Sequence, residues 1–276
     1  MEVRMADHFG MCFGVRDAIE LALRLTRQGP VTILGDLVHN PHVVSEMNAA
    51  GAVRARMPEE VGTRAVLLTA HGTANRVKLQ LREEGRQVHD AACPLVKRVH
   101  LALRRLIREA RHPVIIGKAD HVEVRGLTGD LDDFTVIEDE VDIEKLAGRL
   151  RLGVVAQTTQ PFDRVMDLVG AIRARFPYTD VRFIDTVCQP TKDRQEAMHK
   201  LAAESDVVVV VGGLDSNNSR KLTELARSLG RPAYQVAGAA ELRAEWFHKG
   251  QVVGLTAGTS TPDRVVHEVR ARLEEM

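Results

Sequence analysis

At 276 residues, with 44% hydrophobic side chains and 38 basic residues against 38 acidic ones, the chain can bury a substantial core and carries no net charge. That balance excludes a disordered polyion and offers no broad basic surface to nucleic acid or to an anionic membrane. The N-terminal MEVRMADHFGMCFGV has no basic region leading into a long apolar stretch, and no later run approaches the ~20 apolar residues that span a bilayer, so the chain reads as cytoplasmic.

In chain order, Cys12 opens the amphipathic helix pattern MCFGVRDAIELALRL, and VTILGD (31–36) follows as a strand with His39 and Asn40 just beyond it. A second strand, AVLLTAHG (65–72), ends at His71. Cys93 then opens ACPLVKRVHLALRRLI, another amphipathic helix, ahead of the strand PVIIGKADH (113–121), which carries His121 with Glu123 two residues on. The run RLGVVAQTT (151–159) ends in Thr158 and Thr159. Cys188 opens VCQPTKDRQEAMHKLA; the strands DVVVVVGG (206–213) and QVVGLTAG (251–258) come after it, leading to Ser216-Asn217-Asn218 and to Ser260.

Apolar β-branched runs alternating with amphipathic helices predict an α/β fold with parallel sheets covered on both faces, whose ligands bind beyond the carboxyl ends of the strands. The chemically capable residues follow that phase. The cysteines stand at nearly even intervals, each starting a helix that precedes two strand-like runs, so the expected architecture is three similar α/β lobes with small, mostly parallel sheets: residues 1–90, 91–180 and 181–276.

Three thiols cannot all pair within one chain, and a helix start favours the thiolate that binds metal. Closely spaced CxxC pairs, usual in structural zinc sites and ferredoxins, are absent, which leaves a Cys₃His zinc site built from distant residues or an iron–sulfur cluster with one iron lacking a protein ligand. Such an iron is a Lewis acid toward substrate oxygen.

The segments GMCFGV, HNPHVV, AHGT, DAACPLVK, GKADHVEVRG, VAQTTQ, DTVCQPTKDRQEA, GGLDSNNSRKL and TAGTSTPD, in that order, resemble the LytB family of hydroxymethylbutenyl diphosphate reductases along nearly the whole chain. The resemblance implies a pseudo-threefold fold around one central [4Fe–4S] cluster on Cys12, Cys93 and Cys188. It also implies reductive dehydroxylation of 4-hydroxy-3-methylbut-2-enyl diphosphate to isopentenyl and dimethylallyl diphosphate, the last step of the non-mevalonate isoprenoid route. Glu123 matches the proton donor and Thr158 the neighbour of the substrate hydroxyl, with His121 beside them. His39, His71, His121, Thr158, Ser216, Asn217, Asn218 and Ser260 match the substrate-binding set. Asn217 stands where smaller residues are common, Val122 where Pro is, and Ala92 where Thr is.

Each of these residues has an ordinary structural reading: loop histidines, a solvated carboxylate at Glu123, a helix cap at 216–218, and helix-start acids at Asp90 and Asp185. The alternatives in function are another three-cysteine cluster enzyme, quinolinate-synthase-like or a dehydratase, and a cluster-bearing redox sensor. Carboxylate substrates favour Arg or Lys in the pocket, whereas the His, Ser and Asn set suits a diphosphate. GGLDSNN lacks the GxGxxG spacing of a dinucleotide site, so electrons come from an external carrier, by the resemblance a ferredoxin or flavodoxin.

Overall fold

The computed structural model describes residues 1–276 and contains three four-stranded sheets, in each of which every neighbouring pair of strands is parallel. The chain begins with β1 (Glu2–Met5) and α1 (Phe13–Thr26). The first sheet has the order β3-β2-β4-β5, from β2 (Val31–Leu34), β3 (Val53–Ala55), β4 (Ala65–Leu68) and β5 (Gln87–Asp90), with α2 (Pro41–Ala49) and α3 (Asn75–Glu83) between strands.

After α4 (Pro94–Arg108), the second sheet repeats that order as β7-β6-β8-β9, from β6 (His112–Ile116), β7 (Thr135–Ile137), β8 (Arg151–Ala156) and β9 (Asp180–Phe183), with α5 (Val122–Thr128) and α6 (Phe162–Arg175). After α7 (Gln189–Ala203), the third sheet runs β11-β10-β12-β1, from β10 (Val207–Val211), β11 (Ala233–Val236) and β12 (Val252–Ala257), with α8 (Asn217–Ser228) and α9 (Asp263–Glu275). Its fourth strand comes from the other end of the sequence. Residues 1–90 therefore contribute strands to two sheets.

The inner strands read as unbroken apolar runs because both of their faces are covered. In β10, Val207, Val209 and Val211 pack with Val265, Val266 and Val269 of α9, while Val208 and Val210 pack with Met198 and Leu201 of α7 and Leu222 of α8. In the second sheet, Val114 and Ile116 pack with Val165, Leu168 and Ile172 of α6, and Ile115 packs with Leu103 and Leu106 of α4.

The chain divides into two compact units. The first comprises Met1–Arg16, Val38–Ala49 and Gln189–Met276 and contains the third sheet; the second comprises Asp17–Leu37 and Ala50–Cys188 and contains the other two. No helix is long and apolar enough to cross a membrane.

Two strand glycines let helices lie close on their sheets. A methyl group at Gly153 of β8 would stand 2.7 Å from Leu106 Cβ, and one at Gly254 of β12 would stand 2.6 Å from Ser205 Oγ and 2.9 Å from Leu201 Cγ. Gly170, on the exposed side of α6, has nothing within 4 Å of that position. Urea unfolding should therefore find Gly153→Ala and Gly254→Ala less stable by about 1–3 kcal/mol. Gly170→Ala should be more stable by up to about 1 kcal/mol. Equal behaviour of all three would refute the close-packing account.

Candidate active site

Each sheet ends in two turns, and in the first kind the same hydrogen bonds recur three times. After β4, β8 and β12 the chain makes a tight turn, closed by Gly72 N–H to Thr69 O (3.2 Å), Gln160 N–H to Gln157 O (3.1 Å) and Thr261 N–H to Gly258 O (3.1 Å). The second residue of each turn accepts a cysteine N–H: Cys93 to Ala70, Cys188 to Thr158 and Cys12 to Thr259, each at 3.0 Å. The residues next along are His71, Thr159 and Ser260.

All three cysteines are part-buried, and each directly precedes a helix, respectively α1, α4 and α7. Asp90 and Asp185 accept the N–H two residues on, from Ala92 at 2.9 Å and Val187 at 3.1 Å, which is the structural role read for helix-start acids. Burial works to raise the Asp90 pKa, but hydrogen bonds from Lys78 and Ala92 outweigh it and hold the carboxyl below its ordinary range.

The second kind of turn follows β2, β6 and β10 and opens a helix. Asn40 Oδ1 accepts from His42 N–H (3.0 Å) and Val43 N–H (3.4 Å) at the start of α2. His121 Nδ1 accepts from Glu123 N–H (3.1 Å) at the start of α5. Ser216 Oγ accepts from Ser219 N–H (3.3 Å) at the start of α8. With Nδ1 of His121 as the acceptor, the tautomer that fits carries its proton on Nε2.

In the second unit, Glu123 is 2% exposed, with Oε1 accepting Thr158 N–H (2.7 Å) and Oε2 accepting the Thr158 hydroxyl (2.8 Å). Burial pushes its pKa up to about 7 against the lowering effect of those two bonds. Near neutral pH it is thus divided between acid and carboxylate. When it is protonated, the Thr158 hydroxyl can turn and accept, so a proton has a path from Glu123 to whatever faces Thr158. Thr158 also fixes Cys188 through its carbonyl. His71 and His121 meet edge to face with ring centroids 5.9 Å apart.

In the first unit, Ser260 Oγ donates to His39 O (3.1 Å). Ser216, Asn217, Asn218 and Ser260 are all buried, at 4–6% exposure, although every one is polar. Arg220 donates to Asn217 Oδ1 (3.0 Å), and Asn218 Nδ2 is buried without a partner. The sequence-predicted residues are thus gathered as two sets: His39, Ser216, Asn217, Asn218 and Ser260 with Cys12 in the first unit, and His71, His121, Glu123 and Thr158 with Cys93 and Cys188 in the second.

Two buried polar residues escaped the sequence reading as contributors. Gln157, fully buried, accepts from Lys118 N–H (3.1 Å) and Gln160 Nε2 (3.0 Å) and braces the β8 turn against β6. Arg194 donates to Gly10 O (2.6 Å), two residues before Cys12, and to Pro190 O (2.7 Å). Both lie inside quoted segments, VAQTTQ and DTVCQPTKDRQEA, but bracing backbone is a role that only the fold shows. No group of three or more His, Cys, Asp and Glu is spaced to hold a single metal ion.

The LytB protein family model matches residues 3–274. The chain is 38% identical to the 4-hydroxy-3-methylbut-2-enyl diphosphate reductase of Azotobacter vinelandii, covering 100% of this chain and 90% of that one. It is 36% identical to the enzyme of that description from Aquifex aeolicus, covering 100% and 97%. Among solved structures it is similar to the E-1-hydroxy-2-methyl-but-2-enyl-4-diphosphate reductase from Plasmodium falciparum, with a TM-score of 0.91, 25% identity, and coverage of 98% and 87%. A second structure, described as (E)-4-hydroxy-3-methyl-but-2-enyl diphosphate reductase, the terminal enzyme of the non-mevalonate pathway, matches with a TM-score of 0.71, 36% identity, and coverage of 100% and 99%.

The raised pKa of Glu123 has a consequence for stability. Between its ordinary value of 4.5 and about 7 the folded chain keeps a proton that the unfolded chain has released, so stability falls as pH rises through that window. The loss amounts to at most about 3 kcal/mol. Glu123→Gln abolishes it, so the variant should gain on the wild type from pH 5 to pH 8 in urea unfolding; parallel curves would contradict the assignment.

Proposed function

Because the chain belongs to the LytB protein family, we propose that the residues gathered at the strand ends carry out that family's reaction, with Glu123 as the proton donor. The reaction is the reductive removal of the hydroxyl of 4-hydroxy-3-methylbut-2-enyl diphosphate, the terminal step of the non-mevalonate route. Family membership sets aside the quinolinate-synthase-like, dehydratase and redox-sensor alternatives. In this reading the three sheets are three functional lobes.

The LytB enzymes are iron–sulfur oxidoreductases of isoprenoid biosynthesis. Cys12, Cys93 and Cys188 would hold one [4Fe–4S] cluster, which when bound supplies electrons singly and an iron open to the hydroxyl oxygen. The donor set fits such a group. Three part-buried thiols, each braced through its own N–H, suit three different irons. A reducing cytoplasm suits these thiols, and a ferredoxin or flavodoxin is the electron donor in this reading.

The balance of the reaction sets the work of the side chains. The C–O bond takes two electrons and two protons; one proton leaves with the oxygen as water, and the other goes to either end of the allyl unit, giving isopentenyl or dimethylallyl diphosphate. Hydroxide is a poor leaving group, so a proton must reach the oxygen as the bond breaks. Glu123 holds that proton near neutral pH, and the Thr158 hydroxyl passes it on. His39, His71 and His121, with Ser216, Asn217, Asn218 and Ser260, donate to the diphosphate oxygens and hold the ligand still while they do so.

The buried Glu123–Thr158 pair carries this reading, since a carboxyl at 2% exposure with its pKa near 7 is costly to keep unless its proton is used. Anaerobically purified protein should contain about four irons and four sulfides per chain and turn over the hydroxy allylic diphosphate with a chemical reductant. Glu123→Gln should lower kcat about 100-fold or more with its iron content unchanged. Colourless protein holding only zinc after anaerobic reconstitution, or a Gln variant of normal kcat, would overturn the assignment.

A further inference from the structure

Asn40 and Asn218 are 2% and 4% exposed, and in each the amide nitrogen Nδ2 is buried with no hydrogen-bond partner. Stranded donors of this kind are rare in folded proteins, and an accepting ligand removes their cost. Asn218 belongs to the set already given to the diphosphate. Asn40 does not.

The cap at the start of α2 settles how the Asn40 amide is turned. Its Oδ1 accepts from His42 N–H (3.0 Å) and Val43 N–H (3.4 Å), so Oδ1 faces the first turn of the helix and Nδ2 points away from it. The segment packed against this cap leads directly to Ser216: a methyl at Gly213 would stand 3.3 Å from His39 O and 3.7 Å from Asn40 Cα. Ser260 reaches the same His39 carbonyl at 3.1 Å. The starts of α2 and α8 and the Ser260 turn therefore meet within one unit, with two unfilled amide donors among them. An NH₂ group only donates, which excludes a cation as the missing partner and calls for an acceptor, a role the oxygens of a diphosphate can fill for both amides.

We propose that Asn40 is a further substrate-binding residue, its Nδ2 donating to a diphosphate oxygen alongside Asn218 while its Oδ1 caps α2. The inference rests on the diphosphate reading above and adds a residue to it. The α2 N-terminus, with its own favourable dipole, thereby joins that of α8 in holding the anion.

The test separates the cap from the donor. Asn40→Ser and Asn40→Asp both keep an oxygen for the α2 cap and remove the NH₂ group. In the cluster-loaded protein, inorganic diphosphate binding is measured by calorimetry and the substrate by KM and kcat, with Asn218→Ala alongside and melting temperatures for every variant. Asn40→Ser should weaken diphosphate binding and raise KM about tenfold or more, with kcat nearly unchanged. Asn40→Asp, whose carboxylate repels the anion, should weaken both further while melting no lower than the wild type. Unchanged affinity and KM in Asn40→Ser, while Asn218→Ala binds weakly, would make Asn40 a cap only and leave the diphosphate reading intact. If Asn40→Ser fails to fold, wild-type affinity in Asn40→Asp would overturn the inference equally. Wild-type protein that binds no inorganic diphosphate would overturn the inference and the reading beneath it together.

Discussion

The arrangement rests on three backbone hydrogen bonds, from Cys12, Cys93 and Cys188 to the carbonyls of Thr259, Ala70 and Thr158. Those of Cys93 and Cys188 follow from a strand register. Ala91 N–H bonds Leu68 O and Ile184 N–H bonds Val154 O, the register that Cys93 and Cys188 still keep, whereas between the Ala6 N–H bond to Leu255 O and the Cys12 bond the first strand gains two residues on its partner. A slip of one residue in any of these pairings would carry the thiol off its turn and send the core valines to the wrong face. Hydrophobic burial thus specifies the position of the sulfur atoms. The fully buried strand residues Val66, Val154 and Leu255 enforce that register.

A second constraint is that the hydroxyls and amides proposed for the diphosphate, on Thr158, Ser216, Asn217, Asn218 and Ser260, are buried, and burying them has a cost that hydrogen bonding offsets. Nearly all of them serve the fold as well. Ser216 caps α8, His121 caps α5, and Ser260 ties its turn to the His39 carbonyl. That double duty keeps donors fixed in advance of any ligand, so little ordering remains to be done on binding. It also explains how a chain of zero net charge can suit a strongly anionic molecule: Arg220, in the first turn of α8, stands behind Asn217, and direct donation falls to amides, hydroxyls and imidazoles.

The six strands legible from sequence are the two inner strands of each sheet, β2, β4, β6, β8, β10 and β12, which have to be apolar on both faces. Four of the edge strands are hard to read for the complementary reason, and β7 and β11 because they are only three and four residues long. VRA, QVHD, DVRF and EVRM are short, half-exposed and charged, as edges that must resist pairing with other chains tend to be. The site residues stood out because they follow inner strands. Gln157, although it follows β8, and Arg194 did not, since each braces backbone distant in sequence, Lys118 N–H and Gly10 O, and nothing in a local pattern marks such a side chain. The near-even spacing of the cysteines disclosed the repeat, but not that β1 closes the third sheet.

That closure gives the repeat its character. Each sheet ends in an edge strand, β5, β9 or β1, that leads through a cysteine into the helix preceding the next sheet's first strand. Each thiol therefore belongs to a crossover in the chain, braced by the sheet it has just left. For Cys93 and Cys188 that sheet lies just upstream, and its pairing can form as the chain grows. For Cys12 it lies at the far end, because β1 pairs only with β12 and the accepting carbonyl belongs to Thr259. Contacts of such sequence separation form late, since a long loop must close before any contact repays it. Cys12 thus gains its brace only when nearly the whole chain is present.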